Sequence, residues 1–172
     1  MLADLPQPES STFTNAGTNS LKTTTTVTAH ESKSTFILDE EGKIIPTIEN
    51  FYNYCAIGKL MGVKCTRCGT LNCPPRGICQ KCLGTGTKWI QLKGDGVLLT
   101  YTVIHFPPTQ FLSLAPYAVG IVKLEEGPNL PAMIKNIDFD HLKIGIPLQI
   151  DFETATPEEW PKWPRYFFKP RT

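Results

Sequence analysis

From Ile48 onward the apolar positions of the chain fall into regular periods, whereas before it they are sparse. "PTIENFYNYCAIGKL" places Ile48, Phe51, Tyr52, Cys55 and Ala56 at i, i+3, i+4, i+7 and i+8, one apolar face of a short amphipathic helix. Thr47 supplies an N-cap oxygen and Gly58 a stop. A cysteine-rich stretch follows, and beyond it the period shortens to that of strands. "TKWIQLKG", "GVLLTYTVIHF", "YAVGIVKLEEG", "LPAMIKNID" and "IPLQIDFE" are runs rich in Val, Ile, Leu, Thr and aromatics, each bounded by Gly, Pro or Asp clusters. No helical pattern intervenes except a turn near "FDHLKIG". Five short strands in 66 residues predict a small, partly open barrel of the OB type. "PPTQFLSLAP" is its one long loop, and long loops in compact domains are often functional.

The two ends differ from this pattern. Fourteen of the first 35 residues are Ser or Thr, too little apolar surface to offset the cost of ordering. Residues 1–45 are therefore expected to form a flexible Ser/Thr-rich tail that orders on a partner. Residues 46–87 hold the helix and the cysteine-rich stretch, and 88–153 the barrel. Residues 154–172, with "TPEEWPKWPRYFFKPRT", read as an extended aromatic and Pro-rich tail. The fold class is mainly β. Phe51 and Tyr52 on the helix, and Trp160, Trp163 and Phe167 in the tail, are candidate contacts for docking on another protein.

"KCTRCGTLNCPPRGICQKC", residues 64–82, holds five of the six cysteines. Cys65-x-x-Cys68 and Cys79-x-x-Cys82 are two knuckles, each a tight turn that can point two thiolates at one ion. Gly69 supplies the freedom such a turn wants. The ten-residue gap is shorter than the roughly 15 to 20 of the commonest template, so the paired knuckles carry the reading. Four thiolates in a closed tetrahedron suit structural zinc. Iron and a thioredoxin-like redox pair are the alternatives, the latter weakened by the absence of a βαβ unit. Cys55 reads as a small hydrophobe on the helix face, and Cys73 as a spare thiol beside the metal set.

A chain of 172 residues, 41% hydrophobic, can bury one core and a small satellite. No apolar run approaches the roughly 20 residues that span a bilayer, and the N-terminus lacks the pattern of a secretory signal. A cytoplasmic location is expected, where clustered cysteines are more often ligands than disulfides. The formal charge of +1 hides an asymmetry. Between Asn50 and Gly94 lie seven basic residues and no acidic one, so the rest carries 10 basic against 16 acidic residues. Even after four thiolates and a zinc ion, the ribbon region stays near +5 on the order-of-magnitude count, and it attracts phosphates or acidic protein faces.

"FYNYCAIGKLMGVKCTRCGTLNCPPRGICQKC", followed by "GDGVLLTYTVIHFPP", "PYAVGIVKLEEGPNLPAMI", "LKIGIPLQIDFE" and a closing "YFFKP", resembles the acyl-CoA-associated proteins of domain-of-unknown-function family thirty-five over residues 48 to 170. The "PPR" between knuckles, the "YT" of the first barrel strand, the "PY" before the second long strand and the "IG" turn carry the likeness together. Cys73 departs from it, since a bulky apolar or aromatic residue more usually precedes the proline pair. The resemblance implies a leading helix, a rubredoxin-like zinc ribbon and a C-terminal OB-fold in one chain. It further implies a non-catalytic scaffold for thiolase-fold enzymes in a hetero-oligomer: acetoacetyl-CoA thiolase and hydroxymethylglutaryl-CoA synthase of the archaeal mevalonate route, or a thiolase-like aldolase or acyltransferase. Arg76, whose planar fork suits a phosphate, is then the first candidate to lie near the phosphates of coenzyme A, with Lys64 and Lys81 beside it.

The residues offer no nucleophile beside a base. His105 adjoins Pro-Pro, His141 lies in a polar turn and His30 in the tail, each reading as solvated or packed. "GTGTK" at Gly84 lacks the full phosphate-loop pattern. The rival from another class is a single-stranded nucleic-acid-binding ribbon and OB module, weakened by the acidic barrel half.

Overall fold

A computed structural model of the chain describes residues 24–29, 32–153 and 165–171, with side chains over 36–153 and 166–171. A hairpin of β1 (Thr24–Ala29) and β2 (Ser32–Ile37) comes first, paired antiparallel from Thr24↔Ile37 to Ala29↔Ser32. Helix α1 (Ile48–Ala56) follows, capped by Thr47, whose side-chain oxygen accepts from Asn50 N. It stops at Gly58, where φ is +70° and the left-handed turn costs glycine nothing.

The ribbon sheet comprises β3 (Met61–Cys65), β4 (Leu71–Asn72) and β5 (Thr87–Gln91), in the order β4-β3-β5. The barrel comprises β6 (Asp95–Ile104), β7 (Tyr117–Leu124), β8 (Asn129–Ile134), β9 (Pro147–Glu153) and β10 (Arg165–Pro170). It closes in the order β10-β8-β7-β6-β9, with β10 parallel to β8 and antiparallel to β9. Five strands so connected make an OB-type barrel. The long loop carries a 3-10 turn at Thr109–Leu114, and the turn at Phe139–His141 is of the same kind.

Three expectations need correction. "TKWIQ" is not a barrel strand, because Met61–Cys65 pairs with it from Met61↔Gln91 to Cys65↔Thr87. The fifth barrel strand comes instead from "RYFFKP", which had been expected to be tail; Phe168 there is fully buried. Nor is the Ser/Thr-rich segment featureless over 1–45. Its threonines are β-branched and suit a strand as well as a disordered chain, and Phe36 is 3% exposed with its ring 4.7 Å from that of Tyr54.

One continuous core joins these parts. Phe51, Cys55 and Leu60 from the helix region, Cys73 from the ribbon, and Leu98, Val122, Leu130, Leu148 and Phe168 from the barrel pack together. The ribbon passes into the barrel through Gly94, where φ is +83° and an added Cβ would lie 2.0 Å from Ile150 Cγ2. Among the described residues no helix is long and apolar enough to cross a membrane.

Candidate metal centre and adjoining groove

Cys65 is the last residue of β3, and the chain turns at once: Gly69 N donates to Cys65 O at 3.0 Å and Cys65 N donates to Thr70 O at 2.9 Å. The second turn repeats the device, with Leu83 N donating to Cys79 O at 3.0 Å and Cys79 N to Gly84 O at 2.9 Å. The two turns bring Cys65, Cys68, Cys79 and Cys82 together, all four sulfurs lying within 4.8 Å of one another. Cys65 and Cys82 Sγ are 3.6 Å apart, and Cys68 and Cys79 Sγ 3.5 Å. A zinc–sulfur bond of about 2.3 Å gives a tetrahedral edge of about 3.8 Å, so the set fits zinc.

Electrostatics agree. Thr70, whose hydroxyl oxygen lies 3.2 Å from Cys68 Sγ, and the Thr70 backbone hold the Cys68 thiol down to about 6. The amides of Cys82 and Lys81 lower Cys79. At Cys82 the Gly84 amide pulls down, yet hydrogen bonding with Cys68, burial and the other two thiols push the thiol up to about 11. Crowded thiols cannot all ionise unaided, and a dication is the group that lets them. When bound, zinc ties the two knuckles into one unit.

Cys73 stands outside the four. It is 7% exposed and pushed up to about 12, first by burial and then by Glu126, so it is a core thiol. Cys55 is 1% exposed and also raised to about 12 by burial.

A groove of about 420 Å³ runs between ribbon and barrel, lined by Asn72, Cys73, Arg76, Gln80, Asn129 and Pro131 among others. With its amide oxygen turned toward the guanidinium, Gln80 accepts from Arg76 Nη1 at 2.9 Å and Nε at 3.1 Å. Nothing in the sequence singles out Gln80, because its role depends on a side chain four residues away across a turn. Lys64 and Lys81 are exposed, but they do not line this groove. Two docking candidates are corrected: Phe51 is fully buried in the core, and Phe167 is 8% exposed with Lys135 Nζ 5.0 Å from its ring centre. Tyr52 is half-buried against that core, and Trp160 and Trp163 lie outside the described residues. His141 is exposed with Nδ1 3.8 Å from Asp138, and His105 is exposed on the barrel. Neither is paired with a nucleophile among the described residues.

Comparison with known proteins follows the same division. Residues 53–87 match the rubredoxin-like zinc ribbon domain of ChsH2, and residues 89–153 match the ChsH2 C-terminal OB-fold domain. A DUF35 domain-containing scaffold protein of Methanocaldococcus jannaschii is 38% identical over 100 residues, 58% of this chain and 68% of that protein. A protein of the same description from Methanothermobacter thermautotrophicus is 36% identical over 58% of this chain and 75% of its own length. A probable enoyl-CoA hydratase alpha subunit of Thermomonospora curvata is 33% identical, but the match spans only 31% of it. Among solved structures, a chain of the Ltp2-ChsH2(DUF35) aldolase superposes with a TM-score of 0.60 at 29% identity, covering 70% of this chain and 91% of that one. With both of its domains matched in order, and two relatives covered over most of their length, the chain belongs to the DUF35 family of zinc-ribbon and OB-fold proteins.

Proposed function

We propose that this protein is a non-catalytic scaffold subunit that holds acyl-CoA enzymes of the thiolase fold together in the cytoplasm, with acetoacetyl-CoA thiolase and hydroxymethylglutaryl-CoA synthase as its pair. The observation that carries this reading is the likeness of the whole ribbon–barrel unit to relatives described as scaffold proteins. Zinc would fix the ribbon, the ribbon would meet one enzyme, and the barrel would hold a second close by. Passing product straight between neighbouring sites would favour an uphill condensation. Arg76, braced by Gln80 at the groove, would lie toward the phosphates of coenzyme A, with Lys64 and Lys81 adding positive field. A nucleic-acid role is disfavoured, since residues 89–153 hold 4 basic against 7 acidic residues.

A second reading keeps the scaffold and changes the client to a thiolase-like aldolase, favoured by the description of the structural neighbour as an aldolase. Mild affinity purification of the tagged chain from its host, with mass spectrometry and metal analysis of one sample, decides between them. A thiolase and a synthase with about one zinc per chain supports the first reading, and an aldolase the second. Nucleic acid or ribosomal components in their place would overturn both. Arg76→Ala in the assembled complex should slow acyl-CoA turnover; unchanged kinetics would remove Arg76 from the site.

A further inference from the structure

The two zinc knuckles share one backbone turn but place different residues, Gly69 and Leu83, at its closing position. In each, the residue after the second cysteine closes the turn and takes a left-handed backbone, with φ +72° at Gly69 and +56° at Leu83. Glycine adopts that conformation freely, whereas the Cβ of a leucine is crowded there. Leu83 is also 76% exposed, and Ile78 just before the knuckle is 57% exposed. One residue thus carries both backbone strain and a bare apolar side chain. The hydrogen bond from Leu83 N to Cys79 O holds the backbone in that conformation, while the side chain stays bare; strain of this kind clusters at functional sites.

The surroundings of this tip are cationic. Lys81 stands exposed inside the knuckle. Arg67 of the first knuckle runs along the second, its Cδ 3.6 Å from where a Cβ on Gly84 would sit. No acidic residue occurs between Asn50 and Gly94 to neutralise them. A nucleic-acid backbone would use the cations but not the leucine and isoleucine.

We infer that the second knuckle is a docking tip: Leu83 and Ile78 enter an apolar socket on the partner subunit, rimmed by Asp and Glu side chains that meet Arg67 and Lys81. This rests on the scaffold reading and adds to it the surface that is used and the chemistry of its counterpart. An aliphatic anchor seated in a partner pocket forms the buried centre of such an interface, and the charged rim sets association rate and partner choice.

The test replaces Leu83 with residues the left-handed position tolerates. Leu83→Gly copies Gly69 and Leu83→Asn keeps a side chain there, so both should preserve or raise the melting temperature of the zinc-loaded full chain. Each tagged variant, expressed in the native host, should retain at least tenfold less thiolase-fold subunit than wild type, and Ile78→Ser should act in the same direction. Raising salt should weaken wild-type retention. Variants that hold the thiolase-fold subunit as well as wild type would overturn the docking tip and leave the scaffold reading standing. A wild-type chain that retains no thiolase-fold subunit would overturn both.

Discussion

Asn50 holds Ile37 as a neighbouring strand would: its Oδ1 accepts from Ile37 N at 2.8 Å and its Nδ2 donates to Ile37 O at 2.8 Å. The remaining amide hydrogen goes to Ile45 O at 2.9 Å. Asn50 is fully buried, so one helix side chain satisfies three backbone groups and ties the β1–β2 hairpin to α1. Asn50→Ala takes away the acceptor of Ile37 N and one of two donors to each carbonyl, Ile37 O keeping Ile45 N and Ile45 O keeping Thr47 N, at a cost of about 1–3 kcal/mol in urea unfolding. Asn50→Asp, which cannot donate when ionised, should lose a similar amount at neutral pH. A loss below about 0.5 kcal/mol, the range of ordinary surface changes, would deny the clamp a structural role.

Metal removal should be felt beyond the ribbon. Metal analysis should find one zinc per chain, and chelation should lower the melting temperature of the whole protein because ribbon and barrel share a core. Zinc must compete with protons for the thiolates, so affinity falls as pH falls. Thr70 favours the Cys68 thiolate, and its loss raises that thiol. Thr70→Ala should therefore release zinc at a higher pH than wild type, read with a chromogenic chelator during acid titration.

Cys55 and Cys73 give an alkaline signature. Burial raises both to about 12 in the folded chain, against about 8.5 for an exposed thiol. Their folded values lie above the unfolded ones, so their contribution is fully present below about pH 8.5 and is lost as pH climbs toward 12. The slope follows from the unfolded chain giving up those protons first. Urea midpoints should fall steadily above that threshold, and Cys55→Ala combined with Cys73→Ala should flatten the decline. At pH 8 a thiol reagent should label the pair only on unfolding.

Gly94 admits no side chain. The φ of +83° and the 2.0 Å approach to Ile150 Cγ2 act together, and Gly94→Ala should destabilise by about 3 kcal/mol, the upper range for overpacking. Gly77→Ala, with open space around its Cβ, is the matched control and should change the melting temperature little.

What was readable in the chain divides along physical lines. The metal set was legible because chemistry, not packing, fixes C-x-x-C spacing, and α1 because its cap and apolar face are local. The strands were legible as strands, but their partners were not. A short apolar run states which face is buried, never which strand lies beside it, and so "TKWIQ" and "RYFFKP" exchanged places. The role of Asn50 left no trace at all, since a lone polar residue on a helix names no partner. Leu83 was hidden for the same reason, its conformation emerging only when the turn is closed.

The shared core has a consequence for shuffling these parts between relatives. Ribbon and barrel match separate family models, which invites a cut near residue 88 and an exchange of halves. Yet Phe51, Leu60 and Cys73 are packed with Leu98, Leu130 and Phe168, so such a chimera would bring together two surfaces not shaped to each other. Helix, ribbon and barrel are held against one another by that packing. Any two enzymes it carried, one on each part, would inherit their spacing from those few apolar side chains.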